Sequence, residues 1–288
     1  AVNYHHAFGE VTVGVGGNIS FIKNEVLEVP TADHIIHGAT NVLSSTTEEF
    51  YRIEPGHPVG YFWGYRTNGI FQDQAAVADY TGKQGLIQPG AVPGDVRFVD
   101  LNGDGIIDAK DKTQIGSPLP TQTFGITLTA AYKAFDLSIL MSGVSGNQIV
   151  DGVRATDRYY NNYTTAIFGR WHGAGTSNAL PRVTLGDEPN KNWGRISDLY
   201  LHNGAFLRVK SVNIGYDLKK DLLKNLPFRQ LRLYASGLNL WTFTHYRGID
   251  PEVGYGNTEA DNSNWSSGID LGYYPQPRTL MVGLNVGF

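Results

Sequence analysis

The sequence predicts an all-β chain, folded as an antiparallel transmembrane β-barrel segment with long loops at one end of the strands and short turns at the other. Three observations carry that prediction. Apolar residues recur at every second position over several long stretches, with small or polar residues between them. The connections between those stretches alternate in length: short at 133–135, long at 145–203, shorter at 217–228 and long at 242–275. The last stretch carries its apolar face to the final Phe288. A β-sandwich also alternates apolar and polar residues, but it does not usually end flush on such a face.

Composition bounds the class. The chain has 288 residues with 35 Gly, 16 Tyr and 13 Phe, a turn-rich and β-rich balance. Net charge is −4, so no broad basic face exists and nucleic acid is a poor partner. Cysteine is absent, which excludes disulfides and thiolate metal sites. No run of about 18 apolar residues occurs, so no membrane helix is expected; a transmembrane barrel needs none. Ala1 opens directly into a β-like pattern, with no signal peptide, so a processed chain or a fragment is expected.

The elements follow in order. Val11, Val13, Val15, Ile19 and Phe21 share one face, with Thr12, Gly14, Gly16, Asn18 and Ser20 on the other. Either a turn falls near Gly16-Gly17-Asn18 or one long strand runs through it. Residues 28–58 are mixed. Gly60 to Tyr65 reads as a compact aromatic strand, and Asn68-Gly69 as a turn. Residues 75–95 read as loop with a helical turn at Ala75 to Ala78. A hairpin follows: Phe124, Ile126, Leu128, Ala130 and Tyr132, a turn at Lys133-Ala134, then Phe135, Leu137, Ile139 and Met141. Phe124, Ile126, Leu128, Leu137 and Ile139 should face lipid, with Thr127, Thr129 and Ser138 facing a lumen. Further strands run over Phe206 to Tyr216, Gln230 to Leu240 and Arg278 to Phe288, with a helical turn at Leu218 to Leu223.

Chemistry is concentrated in residues 100–111, Asp-Leu-Asn-Gly-Asp-Gly-Ile-Ile-Asp-Ala-Lys-Asp. Oxygen side chains stand at loop positions one, three, five, nine and twelve: Asp100, Asn102, Asp104, Asp108 and Asp111. Gly105 holds the sharp-turn position and Ile106 the position whose carbonyl coordinates in an EF-hand-like loop. Structural Ca²⁺ is the expected cofactor, since it takes six to eight oxygens and tolerates irregular geometry. Asp111 stands where a bidentate Glu is usual. An ion-free turn is the alternative, but it would leave four carboxylates crowded together. Gly90, Pro93 and Gly94 before the loop, and Gly116, Pro118 and Pro120 after it, exclude a sensor with flanking amphipathic helices. The loop reads as a staple.

No nucleophile elbow, HExxH, P-loop or paired-carboxylate signature is present, and no catalytic residue is assigned: the chain does not read as an enzyme. His34, His37 and His57 lack the spacing of a zinc site and read as solvated loop residues. Trp171, Trp193, Trp241 and Trp265 are candidate ligand-stacking or lid-contacting aromatics; interfacial girdle or loop packing is the alternative.

Several stretches together resemble one family. They are Asn18 to Asn24, Gly56 to Tyr65, Pro93-Gly94-Asp95 leading into the acidic loop, Phe206-Leu207-Arg208-Val209-Lys210, Gly237 to Thr242, and Pro275 to Thr279. These resemble the SusC/RagA-like TonB-dependent transporters of the Gram-negative outer membrane, in their C-terminal barrel portion. The resemblance implies one wall segment of a plugged barrel of about 22 strands, with long extracellular loops and short periplasmic turns. At about 30 residues per strand with its loop, the chain would supply about eight to ten strands. No plug domain is recognised within 1–288. The resemblance further implies nutrient import of a glycan or peptide. The implied partners are a SusD-like surface lipoprotein, TonB through a segment outside this sequence, outer-membrane lipid and the barrel-assembly machinery. Gly283, Val286 and Phe288 fit the assembly signal; Met281 departs from its usual polar residue. A secreted, calcium-stapled β-sheet module that binds glycans is the rival reading.

Overall fold

The computed structural model describes residues 1–38, 40–43, 47–153, 164–184, 189–253 except 224, 226 and 228, and 267–288. Seven strands form one sheet in chain order: β1 (Val2–Phe8), β2 (Val11–Phe21), β3 (Gln122–Tyr132), β4 (Phe135–Ser145), β5 (Phe206–Asp217), β6 (Gln230–Thr244) and β7 (Thr279–Gly287). Each pairs antiparallel with the next. The count falls below the sequence-based eight to ten because the three long connections take up more chain than an ordinary loop.

Register sorts the residues into two faces, since partners directly opposite share a side. Val15, Leu128, Ile139, Val212, Gly237 and Leu280 form one row across the sheet. Val11, Tyr132, Phe135, Tyr216, Leu233 and Leu284 form another, on the same face. The opposite face carries Gly14, Thr129, Ser138, Asn213, Ser236 and Met281. The apolar face is uncovered: Ile19, Phe21, Phe135, Ile214, Trp241, Val282 and Leu284 are all exposed. No second sheet packs on it among the described residues, so the β-sandwich alternative fails. Such a face suits hydrocarbon rather than water.

The turns settle two open points. β2 runs unbroken through Gly16-Gly17-Asn18, and the chain reverses instead at Gly9, whose φ is +62°. Asn68-Gly69 is no turn: it lies inside a strand, Thr67–Ile70, at a register irregularity where Gly69 takes φ +76°. Ala75 to Ala78 falls in the helix Gln74–Ala78, capped by the Asp73 carboxylate on Ala76 N–H. At Leu218, one carbonyl accepts from both Leu222 and Leu223 N–H.

The three long connections, 22–121, 146–205 and 245–278, all leave the sheet at the same end. They fold together into an outer body. Tyr61–Tyr65 pairs with Lys112–Gly116 and with Tyr51–Ile53, and Gln148–Asp151 pairs with Leu201–Asn203 and, in parallel, with Ile269–Asp270. One core unites Leu43, Phe50, Tyr51, Phe62, Val150, Ile196, Tyr200 and Ile269, residues from all three connections. A second unites Tyr65, Ile70, Val96 and Phe98. Each such side chain stabilises the body by about 1.5–3 kcal/mol relative to exposure. The sheet therefore has no core of its own, and the loops do.

Candidate functional site

The acidic loop leaves the strand Val96–Phe98 and ends in the single 3₁₀ turn Ala109–Asp111, directly before Lys112–Gly116. Both flanking strands belong to the outer body, so the loop is anchored at each end. Inside it the side chains fold back on the backbone. Asp100 accepts from Gly103 N–H at 2.7 Å and Gly105 N–H at 2.9 Å. Asn102 Oδ1 accepts from Asp104 N–H at 2.9 Å, and Asp104 Oδ1 from Ile106 N–H at 3.1 Å. Asn102 Nδ2 donates to the other Asp104 oxygen at 2.9 Å. Asp108 caps the turn through Lys110 N–H at 2.8 Å. Gly105 needs φ +92°, and a Cβ there would add strain in the left-handed region.

Asp111 closes the loop on itself. Its Oδ1 accepts from Leu101 N–H at 2.9 Å and its Oδ2 from Asp108 N–H at 2.8 Å. The residue is wholly buried. It has no ion-pair partner among the described residues. A buried carboxylate of this kind needs a cation or dense hydrogen bonding. The donor set is all oxygen, with lone pairs remaining on each carboxylate, which is the chemistry of a hard cation. Among the described residues no three acidic or histidine side chains converge in metal geometry. The loop supplies the oxygen types and the spacing of a hard-cation site, and its side chains are turned onto the backbone rather than gathered on one point.

The aromatic candidates separate. Trp171 packs on the second core. Gly94 makes the room, because a Cβ there would lie 2.4 Å from the indole. The Trp171 Nε1–H is buried and has no hydrogen-bond partner among the described residues. Trp193 meets Tyr200 edge to face, ring centroids 5.4 Å apart, beside the first core. Trp241 is exposed on the apolar face opposite Val209, a girdle position. Trp265 lies outside the described residues. No shared platform joins the three that are described.

Two polar clusters escaped the sequence reading. On β5, Arg208 and Lys210 meet Asp250 and Glu252. The pattern that could have marked them is two cations two residues apart at the start of a strand, Arg208 and Lys210, with apolar Phe206, Leu207 and Val209 around them. On the outer body, His37 lies between Asp33 Oδ2 at 2.8 Å and Glu49 Oε2 at 2.7 Å. Those carboxylates raise the His37 pKa above its ordinary value, Glu49 most, and the same contact lowers Asp33 to about 2. His34 Nδ1 lies by Val29 O, and His57 by Gln114 and Glu54.

No family model matches the chain. Individual relatives do. The TonB-dependent receptor P3 of Formosa agariphila is 30% identical over 273 residues, covering 94% of this chain and 26% of that protein. The TonB-dependent receptor SusC of Bacteroides thetaiotaomicron is 29% identical over 263 residues, covering 88% of this chain and 23% of its own length. The chain thus spans about a quarter of the curated relatives it matches. Solved structures of the RagAB peptide transporter share the fold, with TM-score 0.68 and 20% identity over 99% of this chain and 28% of that one. The open-open state of the RagAB peptide importer gives TM-score 0.68 at 18% identity. A sheet with one uncovered apolar face, loops gathered at one end, and matches running almost end to end agree: the chain resembles a barrel portion of the SusC/RagA-like TonB-dependent receptors.

Proposed function

We propose that the chain is the C-terminal part of the barrel domain of a TonB-dependent importer, seated in the outer membrane of a Gram-negative bacterium. The observation that supports this most is the apolar face that runs across β2 to β7, uncovered on one side and opposed by a face rich in Gly, Thr, Ser and Asn. In this reading the apolar face meets lipid and the polar face lines the passage. The outer body stands on the extracellular side, and the turns at Gly9 and Lys133 face the periplasm.

The rest of the reading extends that proposal. The cargo is a nutrient, a glycan or a peptide, as RagAB is a peptide transporter. A SusD-like lipoprotein closes over the outer body, TonB acts on a part of the protein outside this sequence, and Gly283, Val286 and Phe288 address the chain to the barrel-assembly machinery. Asp100, Asn102, Asp104, Asp108, Asp111 and the Ile106 carbonyl would hold one structural Ca²⁺ that stiffens the outer body beneath the lid. No bond-making step is involved. The chain's contribution is a wall, a mouth and a fixed loop.

Topology is the test. In the full-length receptor, an epitope inserted at Ala174-Gly175 of the outer body should be labelled on intact cells. One inserted in the Gly9-Glu10 turn should be labelled only after the outer membrane is permeabilised. The reverse pattern, or recovery of the protein in the soluble fraction, sinks the proposal.

A further inference from the structure

Arg208 is a cation almost completely withdrawn from solvent, its side chain 3% exposed. It stands on the polar face of the sheet, across from Ser142 and Thr242. All three of its nitrogens are engaged. Nε donates to Thr242 Oγ1 at 2.8 Å, Nη1 to Glu252 Oε2 at 2.6 Å and Nη2 to Asp250 Oδ1 at 2.5 Å. The register of β5 against both neighbours shifts at Lys210. Such a bulge re-aims a side chain. Here Lys210 reaches the same partner, Nζ donating to Glu252 Oε1 at 2.6 Å and Oε2 at 2.8 Å. Two cations from the wall thus face two anions from the connection between β6 and β7, and the charges cancel within the cluster.

The acidic residues are themselves held. Asp250 Oδ1 accepts from Glu252 N–H at 2.9 Å and Asp250 Oδ2 from Gln276 N–H at 3.1 Å, so the outgoing and returning parts of that connection meet on one carboxylate. Four residues before Asp250, the Tyr246 hydroxyl donates to Asp270 Oδ2 at 2.5 Å. Asp270 is buried in Ile269–Asp270, which pairs with Gln148–Asp151 of the outer body. One short segment is therefore fastened at one end to the wall and at the other to the outer body.

We propose that residues 246–252 are a strap and that Arg208 and Lys210 are its catch: the ion cluster sets how firmly the outer body is tied to the inner wall, and its opening frees the strap as a unit. The ion pairs, and not the strand ladder, are the switchable element. β5 and β6 are paired through a backbone ladder of their own, to which these side chains do not contribute. Burial of Arg208 makes its separation from both carboxylates costly, since a lone buried charge left after loss of its partner is strongly unfavourable.

Hydrogen exchange by mass spectrometry on the full-length receptor tests this without reference to transport. In the D250N/E252Q double variant, amides of 246–252 should exchange faster by about tenfold or more, with those of β5 and β6 unchanged. Lys210→Met, which removes one cation and leaves Arg208 paired with both carboxylates, should raise exchange over the same residues by less than the double variant does. A rise of less than about threefold in 246–252 overturns the proposal, as does an equal rise throughout β5 and β6, which would make the cluster a general support of the wall. A larger rise in Lys210→Met than in the double variant overturns it as well.

Discussion

Asp136 and Arg232 stand on strands that do not pair with each other, and their side chains meet above the strand between them, Arg232 Nε donating to Asp136 Oδ1 at 2.8 Å. The intervening residue is Gly215, directly opposite Asp136 in the ladder. A Cβ at Gly215 would lie 2.2 Å from Arg232 Nη2. The absence of that atom is what lets the guanidinium cross a strand. The obstructing atoms belong to the mobile end of a long side chain, so Gly215→Ala should displace the ion pair and leave the strand intact. The pair is partly solvated, so the expected cost is about 1 kcal/mol. Thermal unfolding in detergent, compared with Arg232→Met in the Gly215→Ala background, checks it: additive losses would show that the pair survives the methyl group.

Charge placed on the two faces should have opposite consequences. Ile139→Arg puts a guanidinium on the apolar face and should destabilise the protein in bilayers by about 2–4 kcal/mol. Thr129→Arg, one position off its cross-strand partner and on the polar face, should cost much less. Urea titration in lipid vesicles gives both values. Equal costs would remove the assignment of faces.

The acidic loop should bind calcium directly. Titration calorimetry on the full-length receptor, stripped with chelator, should show one site, and Asp104→Ala should weaken it by about tenfold or more. Chelation should raise protease cleavage within 100–111 while leaving the sheet folded. A flat calorimetric trace with wild-type protein at millimolar Ca²⁺ would reduce the loop to a set of Asx turns.

His37 gives a pH dependence whose sign is fixed by its neighbours. Its pKa is raised, so the contribution of the clamp is complete below the ordinary histidine value of about 6.5 and fades as pH climbs through the raised one. Asp33 is lowered to about 2, so its share is complete above about 4 and fades as pH falls towards 2. The pairing of Ile36–His37 with Tyr51–Ile53 should therefore be held most firmly from about pH 4 to 6.5. NMR on protein labelled at histidine should find the His37 ring titrating above the ordinary value, with Glu49→Gln bringing it down. A ring titrating at or below 6.5 in the wild type contradicts the clamp.

The sheet was legible in the sequence because each of its faces meets a uniform environment. From Phe124 to Tyr132 the period of two holds, from Leu280 to Val286 only Met281 departs from it, and the register confirms each pairing. The outer body was opaque for the converse reason. Tyr61–Tyr65 is buried on both sides and shows no alternation, and its companions are two to five residues long. The acidic loop could be read because its spacing is local. The catch could not, because Arg208 and Asp250 lie 42 residues apart and the latter sits in a connection without period.

The shared core of the three connections also fixes an order of events. Leu43 and Phe50 come from the first connection, Val150 and Ile196 from the second, Ile269 from the third. The hairpin β3–β4 closes across two residues and needs no help from the rest of the chain. The core, by contrast, joins positions more than two hundred residues apart, and that closure becomes affordable only after the strands have brought the three segments together. During assembly, Tyr200 and Ile269, whose core partners come from other connections, should stay uncovered until the wall beneath them is complete. A substitution that merely slows strand pairing lengthens this interval, exposing adhesive surface to proteases and to other unfinished chains. Its mark would be fewer mature molecules per cell, each with an undiminished melting temperature.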